Sequence, residues 1–247
     1  MATEQGGRTD PARGLALLWG ETGGRRGGLT AGKIVTAAIE VADAEGLGAV
    51  SMRRIATELG FATMSLYRHV PGKAELLDAM VDVVNAESPN VDDVPGGWRP
   101  KLELAAREEY ALSHRHPWVL RIPWTRPALG PNSLAAFESV LRAVSDTGLG
   151  YPEMVQVVNS VFQYVRGAAR NAVDGAEAER DTGVSDAQWW TDRAELFQRY
   201  FDETRFPTMT RAFGAGAFRT APREGFEFGL ARVLDGVAAF IDSRVTR

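Results

Sequence analysis

An all-α fold follows from three features of this 247-residue chain. Apolar residues recur every three or four positions in stretch after stretch, which gathers them on one side of a helix. No convincing run of alternating apolar and polar residues, the pattern of a strand, occurs. Residues that start and stop helices punctuate the chain between the periodic stretches. The expected architecture is a short N-terminal helix-turn-helix unit followed by a larger helical body, with no internal repeat.

Residues 1–28 are rich in Gly, Arg and Thr and end in Gly23-Gly-Arg-Arg-Gly-Gly28. They predict a flexible arm with a short helical turn around Leu15–Trp19. Arg25 and Arg26 can reach phosphate or a minor groove, or simply belong to a solvated tail. Thr30 caps a helix running to about Glu45, with Ile34, Ala38, Val41 and Ala42 on one face, and Gly46-Leu-Gly48 ends it. Ser51 caps the next, whose buried stripe is Met52, Ile55, Ala56 and Leu59. Gly60 stops it, and Thr63 opens a very short helix that turns Leu66 and Val70 inward. Pro71-Gly72 start a longer helix carrying Leu76, Leu77, Met80, Val81 and Val84. Ser88 to Gly97 is a Pro-, Gly- and Asp-rich loop. Helical periodicity returns over about 98–113, 131–147, 152–174, 186–204 and 222–243. The division expected is an arm over 1–28, a helix-turn-helix domain over 29–75 and a helical domain over 76–247.

Composition narrows the function. The formal charge is −4, yet residues 25–73 hold seven Lys and Arg against four Asp and Glu. A basic segment of net +3 therefore sits on a body of −7, which suits local rather than blanket contact with nucleic acid. There is no cysteine, which excludes disulfides, thiolate metal sites and thiol nucleophiles. No apolar run reaches membrane-spanning length, and Leu15–Trp19 is too short for a signal-peptide core, so a cytoplasmic protein is expected.

Chemistry-bearing motifs are scarce. Gly27-x-x-x-x-Gly32-Lys33 imitates a phosphate loop, but Ile34 stands where a hydroxyl should hold magnesium and no strand precedes it. Neither Gly-x-Ser-x-Gly nor Gly-x-Gly-x-x-Gly occurs. His114 and His116 are two apart and project differently, a poor metal pair. An enzyme is disfavoured. By contrast, Ser51–Lys73 reads as two short helices broken at Gly60, the second slim and flanked by Tyr67, Arg68, His69 and Lys73. That combination provides a tip for base edges and donors for phosphates.

At Leu66-Tyr67-Arg-His69-Val-Pro-Gly-Lys73-Ala-Glu-Leu-Leu77 the chain resembles the tetracycline-repressor (TetR) family of bacterial regulators, strongly over about 31–84. Phe226-Glu-Phe-Gly-Leu230, followed by Val233-Leu-Asp-Gly236-Val-Ala-Ala-Phe-Ile241, is similar to the last helix of the tetracycline-repressor branch. In that family this helix packs into a four-helix dimer interface. The resemblance implies roles position by position. Arg53 matches a position that reaches a guanine; the bland alternative is a surface arginine. Thr63, Met64 and Ser65 match the base-reading tip, with Met64 either against a thymine methyl or part of the core edge. Tyr67 and His69 match phosphate contacts, and Arg68 replaces a commonly aromatic position beside phosphate or base. Lys73 lies in a helix's first turn, where a cation is unfavourable unless phosphate occupies the free N–H groups. Ala62 stands where the family often has a hydrogen-bonding cap, so Thr63 caps the short helix or it frays.

The resemblance also implies a C-terminal domain that dimerises and encloses an apolar effector pocket. Candidates are Trp98, Leu102, Tyr110, His114, Trp118, Phe137, Phe162, Arg166, Trp189 and Phe197, though an aromatic at helical spacing is more often core. Trp189 and Trp190 differ by about 100° around a helix, so one of them faces a pocket or a partner. Arg166, inside the apolar run Val157–Ala169, needs an anion: Glu103, Glu109 or a ligand carboxylate. In the tetracycline-binding branch a metal-ligating histidine precedes a Thr-Arg-Pro. Here Thr125-Arg-Pro127 recurs with Ile122 at the upstream place, so magnesium–tetracycline is not the expected effector, and neither metal nor cofactor is expected. The expectation is a homodimeric, ligand-responsive regulator, with a double-stranded operator and an unidentified small molecule as partners and no membrane. The alternative is a helical small-molecule binding protein or enzyme whose helix-turn-helix is structural.

Overall fold

The computed structural model describes residues 11–20, 28–123, 127–200 and 203–245. Eleven α-helices and no strand occur among the described residues. The N-terminal unit comprises α2 (Ala31–Glu45), α3 (Met52–Leu59), α4 (Thr63–Leu66) and the start of α5 (Lys73–Asn85). Thr30 Oγ1 accepts the Lys33 N–H at 3.2 Å and Ser51 Oγ accepts the Arg54 N–H at 3.1 Å, so each helix begins where a hydroxyl satisfies a free amide. Gly60 closes α3 at φ 70°, ψ 29°, a conformation costly to any residue with a Cβ. The chain can then reverse sharply into α4. Ile34, Ile55, Leu66, Val70 and Leu76 are fully buried and knit the four helices together.

The C-terminal body holds α6 (Trp98–Arg115), α7 (Pro131–Ala143), α8 (Tyr151–Thr182), α9 (Asp186–Tyr200), α10 (Pro207–Gly214) and α11 (Pro222–Val245). Helix α8 is its spine, packed by α6 on one side and α11 on another. Val158, Val161, Val165 and Ala169 of α8 meet Leu102 and Ala106 of α6 and Leu230 and Leu234 of α11 in the same closed core. Helix α5 packs on α2 and also on α7, so one rigid element belongs to both parts. The boundary expected between residues 75 and 76 falls inside that helix.

Several elements depart from the sequence expectation. Residues 11–18 form α1 (Pro11–Leu18), which lies against α5, buries Leu17 and is followed by Trp19, whose indole N–H donates to the Leu129 carbonyl at 3.1 Å. The expected flexible arm over 1–28 is therefore helical and docked in that part. An eight-residue helix is marginal alone, so packing rather than local propensity holds it. Arg25 and Arg26 lie outside the described residues. Helix α8 runs eight residues beyond the stretch read from periodicity, because its apolar stripe stops at Val173 while Ala and Glu carry the helix on to Thr182. Helix α7 ends at Ala143 and passes into a 3₁₀ turn at Ser145–Thr147. Helix α10 was not marked by any extended stripe. Thr63 does not cap α4: Ala62 holds that place with no side-chain bond, and the Ser65 N–H reaches the Ala62 carbonyl at 2.8 Å.

Candidate nucleic-acid interface and effector pocket

Helix α4 owes its orientation to Leu66 and, just past its end, Val70. Both are fully buried, so the remaining side chains are turned outward. Met64 is 74% exposed and Tyr67 39%, while Arg68 is exposed and Thr63, Ser65 and His69 are half-buried. Arg68 Nη2 donates to Ser65 Oγ at 3.2 Å, which holds the guanidinium along the helix. Lys73, at the first turn of α5, is exposed and has no ion pair among the described residues. The two adjacent arginines of α3 differ. Arg54 donates to Glu45 at 2.6 Å and to Glu58 at 2.7 Å. Those hydrogen bonds, Glu45 first, hold its pKa above the ordinary value. Arg53 is exposed and lacks any such carboxylate partner among the described residues. One arginine therefore fastens α3 to α2, and the other stays available.

A cavity lies between the end of α5, the loop after it, and helices α6, α7 and α8. Its non-atom space, mouth included, is about 620 Å³. Of the proposed pocket residues it takes Phe137 and Phe162. The others sit elsewhere for identifiable reasons. Trp98 is half-buried against the core and Leu102 is fully buried within it. Tyr110 stacks on Phe226 with ring centres 4.0 Å apart, and burial pushes its phenol pKa up. His114 Nδ1 lies 2.8 Å from the Tyr110 carbonyl, one turn back on its own helix. Trp118 is buried with its indole N–H on Asp43 Oδ1 at 2.7 Å. Trp189 is exposed beneath the Arg193 guanidinium, 4.1 Å from its ring centre, while Trp190 stacks on Phe218 at 5.3 Å. The side chain of Phe197, and residues Thr125 and Arg126, lie outside the described residues.

Arg166 is off the cavity wall as well. Its Nη2 donates to the carbonyls of Val119 at 3.1 Å and Ile122 at 3.4 Å, and Nη1 lies 3.7 Å from Glu109 Oε1. Glu109 is thus the anion that the apolar run required. Burial raises the Glu109 pKa against the pull of Arg166, and burial lowers that of Arg166 against the pull of Glu109. Desolvation outweighs attraction on both sides of this pair. Sequence reading did not place Glu108 and Glu109 on the cavity, nor Asn85, Ser133 and Ser139. The usable signal was small polar residues interrupting the inner stripe of α7.

Two polar clusters link these regions. Buried His116 bridges Asp43 of α2 (2.8 Å) and Glu87, just past α5 (3.1 Å). Buried Asp82 of α5 accepts the Ser133 N–H at 2.8 Å and the Asn132 side-chain amide at 3.1 Å, so α5 caps the start of α7. Gly130 permits this, because a Cβ there would stand 2.2 Å from the carboxylate. No group of three or more His, Cys, Asp or Glu among the described residues could hold a metal ion. No helix among them is long and apolar enough to cross a membrane. On the outside of α8 and α11, Val157, Val233, Val237 and Phe240 line a shallow apolar cleft, and Phe228 is 67% exposed.

Comparison with known proteins places these features in context. Residues 34–80 match the family model for bacterial regulatory proteins of the tetR family. Residues 90–241 match that of the tetracyclin repressor-like C-terminal domain. The HTH-type transcriptional repressor DrrR1 of Streptomyces coeruleorubidus is 44% identical, over 98% of this chain and 91% of that one. ActR of Streptomyces coelicolor, solved in complex with actinorhodin, superposes with a TM-score of 0.75 at 28% identity, covering 86% of this chain and 97% of its own. The class E tetracycline repressor of Escherichia coli is 23% identical over 85% of this chain and 92% of its own length.

Proposed function

The chain belongs to the TetR family of bacterial regulators, and from that membership we infer that it is a ligand-responsive, DNA-binding transcriptional repressor. The observation that carries the inference is the two-sided character of the α3–α4 unit. One side is sealed core, and the other exposes Arg53, Met64, Tyr67 and Lys73 without carboxylate partners among the described residues. We assign Arg53, Thr63, Met64 and Ser65 to base edges, and Tyr67, Arg68, His69 and Lys73 to the phosphates on either side. Phosphate at the α5 N-terminus offsets the unfavourable position of the Lys73 charge.

The acting species is a cytoplasmic homodimer joined through the apolar outer faces of α8 and α11. Its two reading helices stand about 34 Å apart on a palindromic operator. Residues 29–75 read DNA and residues 76–247 bind effector and partner, with α5 common to both. The named relatives are regulators of transcription, which favours this reading over the catalytic alternative. As ActR is solved with actinorhodin, so the cavity walled by Phe137 and Phe162 takes a small organic effector here.

The response follows from connectivity. Ser133 and Phe137 of α7 line the cavity, and Asp82 ties the start of α7 to α5. An effector that fits one setting of α7 better than another shifts α5, and with it the spacing of the reading heads. Gel shift with the DNA flanking the protein's own gene tests the proposal. Specific binding that falls steeply with salt supports it, and no binding to any flanking fragment contradicts it.

A further inference from the structure

We propose that the cavity selects a protonated amine carried on an apolar ring system, with the Glu109 carboxylate receiving the ammonium group. This rests on the cavity being the effector site and specifies what it accepts. The wall is apolar over Val91, Ala105, Ala136, Phe137, Val140 and Phe162, which suits a flat hydrocarbon body. Among the described residues, the charged groups on it are Glu108 and Glu109, and no Lys, Arg or His lines it.

The other polar groups are largely spoken for. Asn85 donates to Ser133 Oγ at 2.9 Å, and Ser139 Oγ donates to Asn90 and accepts the Val91 N–H. The carboxylates are less engaged, Glu109 being held by a long ion pair with Arg166. Glu108 has no ion pair among the described residues. The Arg166 nitrogen nearest Glu109 is 3.7 Å away, beyond hydrogen-bonding distance, while the guanidinium is drawn to the Val119 and Ile122 carbonyls. A half-compensated carboxylate at the edge of an apolar cavity is costly to bury and gains most from a donor cation that brings its own hydrogen bonds. Among the described lining residues an anionic ligand would meet two carboxylates and no cation. A neutral one would leave Glu109 as it is. The raised pKa of Glu109 agrees with this shortage of compensation.

Calorimetric titration of the full-length protein near neutral pH with 2-naphthylmethylamine, 2-naphthylmethanol and 2-naphthoate tests the proposal. These probes share a ring and differ in charge. The amine should bind at least about tenfold tighter than the alcohol, the size of one charge-assisted hydrogen bond, and the carboxylate should bind weakest. In Glu109→Gln the amine-to-alcohol ratio should collapse towards one, and Glu108→Gln should lower it part of the way. A cavity-filling Ala136→Trp should remove binding of all three. If alcohol and amine bind equally, and Ala136→Trp abolishes both, the cation preference is wrong while the cavity stands as the ligand site. If binding ignores Ala136→Trp, or none of the probes binds, both readings fall.

Discussion

Replacing Asp82 by alanine tests the link between α5 and α7. The carboxylate is buried at 4% exposure and accepts a backbone N–H and a side-chain amide from the first turn of α7. Loss of a helix N-cap costs about 1 kcal/mol, and a hydrogen bond to a charged acceptor is worth about 1.5–3 kcal/mol. Both bonds share one carboxylate, so the combined loss is about 2–4 kcal/mol. For a chain of this length each kcal/mol moves the melting midpoint by roughly 2–4 °C, giving a drop of roughly 4–16 °C. Gly130→Ala should give a fall of similar size by another route, since its Cβ would occupy the space of the Asp82 carboxylate. The double variant should lose little beyond Asp82→Ala alone, because both changes break the same contact. Thermal melting followed by circular dichroism reads all three. An Asp82→Ala midpoint within about 1 °C of the unaltered protein, or additive losses in the double variant, would refute the reasoning.

Other outcomes follow from the same geometry. The Asp78 carboxyl is raised above its ordinary value by burial first and by the Glu75 charge second. The folded state therefore holds that proton more tightly than the unfolded chain. Its contribution is full below the unfolded pKa, about 4, and is lost as pH rises through the folded value. Asp78→Asn should accordingly raise the melting midpoint near pH 7, and the advantage should vanish near pH 4; an advantage independent of pH contradicts this. Trp118→Phe removes the indole donor to Asp43 and should cost about 1–2 kcal/mol, read by urea melting. Because His116 still bridges Asp43 and Glu87, His116→Ala should cost more than Trp118→Phe. Equal or reversed losses would dissolve the proposed bridge between α2 and the C-terminal body.

The N-terminal helices were legible because each boundary carries its own local cause. Thr30 and Ser51 supply capping oxygens, Gly60 supplies the left-handed turn, and the inward faces alternate at helical spacing. Where structure depends on distant packing, the sequence is silent. Helix α1 exists through its seat on α5, with Leu17 as the anchor, and its own eight residues give little sign of it. The end of α8 carries no large apolar residue after Val173, so periodicity stops before the helix does. The cavity is harder still, because α5, α6, α7 and α8 all supply walls and their crossing decides which residue faces in. Tyr110, Trp118 and Phe162 share one character in sequence; one stacks in the core, one caps a carboxylate between two parts of the fold, and one lines the cavity. Arg166 was readable as a buried cation needing an anion, and Glu109 was among its possible partners. That the carboxylate, rather than the arginine, faces the cavity depends on how α6 and α8 cross.

The exposed side of α4 and the start of α5 carry the functional account, and fluorescence anisotropy on an operator fragment tests it most directly. Tyr67→Ala combined with Lys73→Ala removes two of the proposed phosphate contacts per subunit, four in the proposed dimer; at about 1 kcal/mol each, affinity should fall about a thousandfold. Sedimentation and melting should show the dimer and its stability unchanged, since both side chains are exposed. Operator binding retained within about threefold by a folded, dimeric double variant would contradict the account.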